Sequence, residues 1–396
     1  MTDDPSRRTG AFALFRIFLL LGCTSFGGPV AHLGYFREAF VARRKWLDEA
    51  SYADIMALAQ FLPGPASSQV GMMIGLARGG LPGLLAAWLG FTLPSAAAMA
   101  LFAFGVAAYG DVMGGGWLTG LKAAAAAVVA QALIGMARSL APDAPRAGVA
   151  ALGFTVVLAV SHLVGAPVWA QIAAILVGGL AGFALPGRAR DGEGAALDIP
   201  VSRGVALMAL ALFALLLIGP LFLALDGPAG LADRFYRSGA LVFGGGHVVL
   251  PLLQAEMVEG GLVSRDTFLA GYGAAQAVPG PLFTFASYLG ASAAGPLGAV
   301  IATVAIFLPS MLLTVGALPF WADLRRAPQM RRALTGVNAA VVGLLAAAFY
   351  DPVVTSIIDR PAAIAIGAVA FVAIGPWKAP PWAVVVAAGI AGAALG

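Results

Sequence analysis

The sequence predicts an all-α polytopic membrane protein built from two inverted-topology repeats, each carrying a pair of re-entrant or broken helical hairpins. Three observations predict it. Of the 396 residues, 60% are hydrophobic and 11% charged, against about 25% charged in an ordinary soluble domain. Two Gly/Pro-rich motifs each occur twice. Phe26-Gly27-Gly28-Pro29 returns half a chain later as Phe243-Gly244-Gly245-Gly246, and Gln60 with Pro63-Gly64-Pro65 returns as Gln276 with Pro279-Gly280-Pro281. The third observation is charge: loops that are basic in one half are acidic or neutral in the other.

The apolar runs, such as 118–137 and 204–225, approach the length of about 20 residues that crosses a bilayer. They are continuous rather than alternating, which excludes a β-barrel. The formal charge of +4 comes from short scattered clusters, as expected for loops facing the cytoplasm and not for a nucleic-acid surface. The polar stretch 1–10 carries Arg7 and Arg8 and no small-residue cleavage site, so no removable signal peptide is expected. The single Cys23 allows no internal disulfide and no cysteine metal site, and is expected to be a small buried residue. No zincin, P-loop or acidic metal motif occurs, so neither an enzyme nor a cofactor is expected.

In chain order the reading is a first repeat at 11–187, a cytoplasmic linker at 188–203, a linker helix within 204–232 and a second repeat at 233–396. Further pairs stay in register: Gly83 with Gly298, Pro94-Ser95 with Pro309-Ser310, and Leu118-Thr119-Gly120 with Leu334-Thr335-Gly336. Arg37, Arg43, Arg44 and Lys45 follow the first motif, whereas Glu256, Glu259 and only Arg265 follow its copy. Later the bias reverses: Asp111 stands alone where the second half has Arg325, Arg326, Arg331 and Arg332. Basic loops stay inside, so equivalent loops lie on opposite sides and the N-terminus is cytoplasmic. Full spans are expected near 83–109, 118–137, 148–163 and 167–185, and near 297–319, 334–349, 362–375 and 382–395. With the linker helix this makes about nine spans, or about thirteen if each hairpin crosses fully.

The four breaks are the candidate site. Gly and Pro interrupt a helix, and broken backbone at membrane depth survives only where protein or a water-filled cavity satisfies it. A helix restarting after Pro65 offers free N–H groups and a positive dipole end, with Ser67 and Ser68 in its first turn and Thr284 aligned with Ser68 in the copy. Such ends bind oxyanions, and paired broken helices in two halves mark a transporter's site. The candidate set is Gly27, Gly28, Pro29, Gln60, Pro63, Gly64, Pro65, Ser67, Ser68, Lys122, Gly244, Gly245, Gln276, Pro279, Gly280, Pro281, Thr284 and Asn338. Packing kinks are the competing reading of the motifs. Lys122 sits inside an apolar run with Asn338 at its counterpart, and either contacts an anion or snorkels to the interface. Arg78, Tyr52 and Asp54 are read as interfacial, Arg16 as either charge-neutralising or locally paired, and His32 and His247 as structural. No buried carboxylate relay is evident, and Ser67 has no evident base, which counts against a membrane enzyme using it as nucleophile.

The strings Phe26–Glu38, Arg43–Asp48, Leu58–Gln69 and Gly90–Ser95, with the second-half copies around Phe243 and Val278–Pro281, resemble the chromate ion transporter family in its long two-domain form. The likeness runs from about residue 11 to about residue 350 or beyond. It implies export of chromate from the bacterial cytoplasm, and hence resistance. It places weight on Gly27, Gly28, Pro63, Gly64 and Pro65, and less firmly on Arg37, Gln60 and Lys122. Gly246 departs from the pattern, standing where the first repeat has Pro29. The implied partners are chromate or a related oxyanion and the lipid bilayer, with a homodimer left open and no nucleic acid. A dianion leaving an interior-negative cell is driven outward by the potential, so potential-driven efflux is expected. Sulfate or another tetrahedral oxyanion, carried with a coupled ion, is the alternative; a channel is a further one.

Overall fold

The computed structural model describes residues 9–109, 115–165, 167–185, 201–223, 225–324 and 327–395. Every regular element among them is a helix, as expected for backbone that must satisfy its own hydrogen bonds in lipid. The sequence-predicted charges Arg7, Arg8, Asp111, Arg325 and Arg326 and most of the predicted linker, 188–200, lie outside the described residues.

The first half runs α1 (Ala11–Thr24), α2 (Gly28–Arg37), α3 (Glu49–Phe61), α4 (Ala66–Tyr109), α5 (Gly116–Leu140), α6 (Ala144–Val164) and α7 (Pro167–Gly182). Then come α8 (Arg203–Ile218) and a short turn, Gly219–Phe222. The second half repeats the order: α9 (Gly227–Ala240), α10 (Val249–Met257), α11 (Arg265–Ala275), α12 (Phe285–Ala317), the short α13 (Trp321–Leu324), α14 (Pro328–Ala348), α15 (Pro361–Ile374) and α16 (Pro381–Leu395). Helix starts follow local chemistry. Asp48 caps α3 by accepting from Ser51 N at 2.7 Å, and Ser264 caps α11 through Thr267 N at 3.1 Å. Proline opens α7, α14, α15 and α16, where its missing N–H costs nothing.

Among the described residues six helices are long and apolar enough to cross a membrane: those covering 66–109, 116–140, 144–164, 203–222, 282–324 and 328–354. Four shorter apolar helices join them, at 11–24, 168–182, 361–374 and 381–395. The chain is an all-α polytopic membrane protein, and large apolar side chains such as Leu101, Leu207, Leu215 and Phe222 face outward from it. The two longest helices each break once at matching glycines. Gly80 has φ 65° and ψ −158°, and Gly295 has φ 64° and ψ −154°. Each is followed by a proline that begins or soon joins the second rod, Pro82 and Pro296.

Small residues let the long helices touch. A methyl added at Gly120 of α5 would lie 1.9 Å from the carbonyl oxygen of Ala388 in α16. One at Gly336 of α14 would lie 2.0 Å from that of Gly178 in α7. Backbone approach of this kind replaces the missing hydrophobic drive between helices in lipid. Because α5 and α14 hold matching places in the two halves, as do α7 and α16, the contacts are exchanged between the halves.

One sequence expectation is corrected here: Cys23 is exposed rather than buried, on the outer face of α1. Arg78, Tyr52 and Asp54 are buried within the protein. Arg78 lies over the Trp46 ring at 4.7 Å and reaches Thr9 Oγ1. Tyr52 donates to the Leu33 carbonyl at 2.6 Å, and Asp54 accepts from Trp321 Nε1 at 3.1 Å. Each polar group found a partner in a distant segment, which makes burial tolerable. Arg16 is exposed on α1.

Candidate functional site: four crossed helix breaks

The two Pro-Gly-Pro breaks and the two Gly-rich breaks meet in a crossed arrangement. Gly64 N donates to the Val242 carbonyl at 2.7 Å, and Gly280 N donates to the Ser25 carbonyl at 2.9 Å. Val242 and Ser25 are the residues just before Phe243 and Phe26. Each Pro-Gly-Pro tip therefore pairs with the Gly-rich tip of the other half. Reciprocal exchange of this sort is what a local two-fold relation produces.

Glycine is needed at the crossing. Gly64 has φ 120° and Gly280 φ 98°, conformations that cost an L side chain roughly 1–2 kcal/mol. The space is also taken. A methyl on Gly64 would lie 2.0 Å from Ser310 Oγ, and one on Gly280 would lie 2.7 Å from Ser95 Oγ. The Pro-Ser pairs of α4 and α12 thus pack their hydroxyls on the opposite half's Pro-Gly-Pro tip. The remaining tip glycines, Gly27, Gly28, Gly244 and Gly245, also have positive φ.

α4 starts at Ala66, which puts Ser67 and Ser68 in its first turn beside Pro63 and Pro65. Gln69 Nε2 ties the turn by donating to the Pro63 carbonyl at 2.7 Å. In the second half a short turn, Leu282–Thr284, precedes α12. Thr284 Oγ1 donates to the Pro281 carbonyl at 2.8 Å, so its proton is committed to the backbone, whereas Ser68 Oγ has no partner. The hydroxyls of Ser25 and Ser310 also lack partners although buried. Buried donors are normally satisfied, and three such hydroxyls on the tips and their packing helices are donors suited to an anion. Ser95 differs from its counterpart Ser310, since it donates to the Thr92 carbonyl at 3.0 Å.

Of the remaining predicted members, Gln60 and Lys122 stand apart from the tips and Asn338, Pro29 and Pro279 lie at them. Gln60 is exposed at the end of α3. Lys122 is buried in α5, and its Nζ pairs with Asp266 of α11 at 2.6 Å. Asn338 lies beside Gly244, its side-chain oxygen 3.6 Å from where a methyl on that glycine would stand. Pro29 opens α2, and Pro279 is half-buried in the second tip.

Three further features escaped sequence reading. His32 Nδ1 lies 3.3 Å from Ser67 Oγ, so Ser67 does have a base within reach; among the described residues no carboxylate hydrogen-bonds that ring. The equivalent clamp in the second half uses other partners, His247 Nδ1 and Tyr272 OH at 2.9 Å. The third is a buried carboxylate besides Asp54, Glu256. It is not in a loop but in the last turn of α10, buried against Arg237 and Arg234 of α9. The signal was present as Asp233, Arg234 and Arg237 at helical spacing within one short segment.

Outside the spans the local electrostatics are simple. Arg37 forms a bidentate pair with Glu49, which raises the guanidinium above its ordinary value. The Ser51 backbone N–H holds the Asp48 carboxyl below the usual carboxylate range.

The family model described as Chromate transporter matches residues 12–183 and again 229–393. The chain is similar to the chromate transport protein of Pseudomonas aeruginosa, 30% identical over 85% of this chain and 80% of that one. It is similar also to that of Cupriavidus metallidurans, 28% identical over 89% and 84%. An uncharacterized transporter of Methanocaldococcus jannaschii is 27% identical over 87% and 85%. No solved structure matches the chain. A family model covering both sets of crossed tips, and relatives aligned along most of their length, place the chain in one group: it belongs to the chromate transporter family.

Proposed function

We propose that this protein is a secondary transporter that exports chromate across the bacterial inner membrane, with the anion held at the four crossed tips. The observation carrying the reading is the set of buried serine hydroxyls without partners around Gly64 and Gly280. Free N–H groups and the positive end of α4 add to them. A tetrahedral oxyanion offers an acceptor to each. The relatives named for chromate transport supply the substrate, and a transporter family leaves the Ser67–His32 contact a clamp between hairpins rather than a catalytic pair.

Inverted repeats fit the crossing. The second rod of α4, then α5, α6, α7 and α8, separate the two hairpin pairs. An odd number of crossings turns the second repeat over, and a two-fold axis in the membrane plane then exchanges the tips. The basic residues Arg43, Arg44 and Lys45 after α2 lie inside on this reading, as does the N-terminus. Export follows from charge. A dianion leaving an interior-negative cell releases about 4.6 kcal/mol per 100 mV, twice the single-charge value, enough to hold a gradient of roughly a thousandfold.

The test is flux from proteoliposomes holding the purified protein under an imposed potential. Chromate should move toward the positive side, faster as the potential grows, and saturate with concentration. Chromate flux that ignores the sign of the potential would overturn the export mechanism; sulfate moving in place of chromate would overturn the substrate.

A further inference from the structure

A cavity of about 460 Å³ opens between α7, the turn after α8, α9 and α10. Trp169, Pro220, Asp233, Arg234, Arg237 and Glu256 line it. It is separate from the crossed tips, and at the matching positions of the first half Ile17 and Leu20 of α1 stand where α9 has Arg234 and Arg237.

The two arginines are held, but incompletely. Arg237 Nη2 bonds Asp233 Oδ2 at 2.5 Å. Its Nε is 3.1 Å from Glu256 Oε1, yet the N–H is not aimed at that oxygen and has no hydrogen-bond acceptor. Arg234 Nη1 donates to the Glu256 backbone carbonyl at 2.7 Å and stays 4.0 Å from the carboxylate. It is 35% exposed, and it lines a neighbouring cavity of about 330 Å³ as well. Guanidinium groups with free planar donors suit an oxyanion better than any other ligand class.

We propose that this cavity is a second binding site, for a tetrahedral dianion held between Arg234 and Arg237, and that Glu256 takes up a proton when the anion enters. The proposal rests on the oxyanion-transport reading above. The four charged groups sum to zero. A dianion would leave two uncompensated negative charges in a partly dry cavity, which is costly. Protonating Glu256 from bulk water removes one of them, and frees the Arg237 Nε face for the anion. The charged groups facing Glu256 are Arg237, Arg234 and Asp233, all from α9. α7 brings no titratable side chain against it, only Gln171, which donates to the Pro251 carbonyl. Toward α14, Gln254 meets Glu259 and the backbone of Asp351, whose carboxylate is paired with Arg265.

The test uses the full chain in lipid nanodiscs, with sulfate as probe because it remains a dianion from pH 6 to pH 8. Binding is measured calorimetrically and proton uptake in weak buffer. The wild-type protein should bind more tightly as pH falls, by up to about tenfold per pH unit, the limit for one linked proton. It should take up close to one proton per anion. Glu256→Gln should bind at pH 8 about as tightly as the wild type at pH 6, without that uptake. Arg234→Gln, at the more exposed arginine, should weaken binding and abolish the uptake while the protein stays folded. Sulfate binding with no proton uptake, or an unchanged pH dependence in Glu256→Gln, would overturn the proposal, since binding at the tips alone involves no Glu256 proton. Chromate flux in proteoliposomes separates the two readings. Flux with pH-independent binding rejects only this site, and Glu256-dependent uptake without chromate flux rejects only the transport reading.

Discussion

The hairpin α1–α2 and its copy α9–α10 share a backbone and differ in what they bury. Around the first, Phe18 packs on Phe36 and Phe40, with ring centroids 5.9 and 5.1 Å away. Beside the second, Asp233, Arg234, Arg237 and Glu256 line a cavity. Yet both hairpins end in glycines of positive φ, and both accept a bond from the other half's Pro-Gly-Pro tip. Duplication preserved the geometry that presents backbone and hydroxyl donors, which any oxyanion can use. The side chains behind the tips diverged, and with them the charge on one flank.

The comparison breaks most visibly at the crossing itself. Gly64→Ala and Gly280→Ala should each lose most of the chromate flux. The first should be worse, because its methyl meets Ser310 Oγ at 2.0 Å against 2.7 Å for the other. Flux per folded protein, with melting temperature as the control, measures this; equal tolerance of both variants would show that the tips are spacers.

A smaller effect separates the two serines. Ser310 has a free hydroxyl, whereas Ser95 is bound to the Thr92 carbonyl. A hydrogen bond to a charged group contributes about 1.5–3 kcal/mol. Ser310→Ala should therefore raise the KM for chromate by roughly tenfold or more, and Ser95→Ala should change it little. The same shift in both would mean the hydroxyls act only through packing.

The matching pair Lys122 and Asn338 sharpens the comparison in stability rather than flux. Lys122 is 5% exposed and Asp266 63% exposed. Asp266→Asn leaves a buried ammonium without its partner, while Lys122→Met leaves a carboxylate that water can reach. The first should lower the melting temperature more than the second, and no such penalty should follow Asn338→Ala. Thermal unfolding in detergent orders the three; Lys122→Met proving the most damaging would point to a contact beyond the Asp266 pair.

The least effect is expected outside the spans, at the cap of α3. Asp48 is depressed in the folded state by the Ser51 N–H. The cap therefore stabilises above the unfolded carboxyl value of 3.8, and this contribution is lost as pH falls through the lower folded value. Asp48→Ala should unfold slightly earlier than the wild type at pH 7, and the difference should vanish in strong acid. Its copy α11 is capped by Ser264, which does not titrate, so Ser264→Ala should cost the same at both pH values.

Membrane class, the doubled motifs and the family resemblance were all legible in the residues, because bilayer-length apolar runs and helix-breaking strings are local properties of a chain. Ser67 and Ser68 in a first turn could be read for the same reason. Local pattern failed where polar groups found distant partners. Tyr52 reaches Leu33, Asp54 reaches Trp321, Lys122 reaches Asp266, and Glu256 turns inward onto α9 rather than out into a loop. Their place at the start of the second hairpin suggested interfaces for the first two. A buried position is allowed only when a partner from elsewhere in the chain satisfies it, and sequence order does not name that partner. By itself, then, the sequence determined that this chain is a duplicated helical membrane protein with four breaks. Only the tertiary structure decided that the breaks cross between halves, which donors are left free there, and that two arginines and two carboxylates share a cavity on one flank. Those outcomes depend on distances between segments far apart in the chain, and packing sets them.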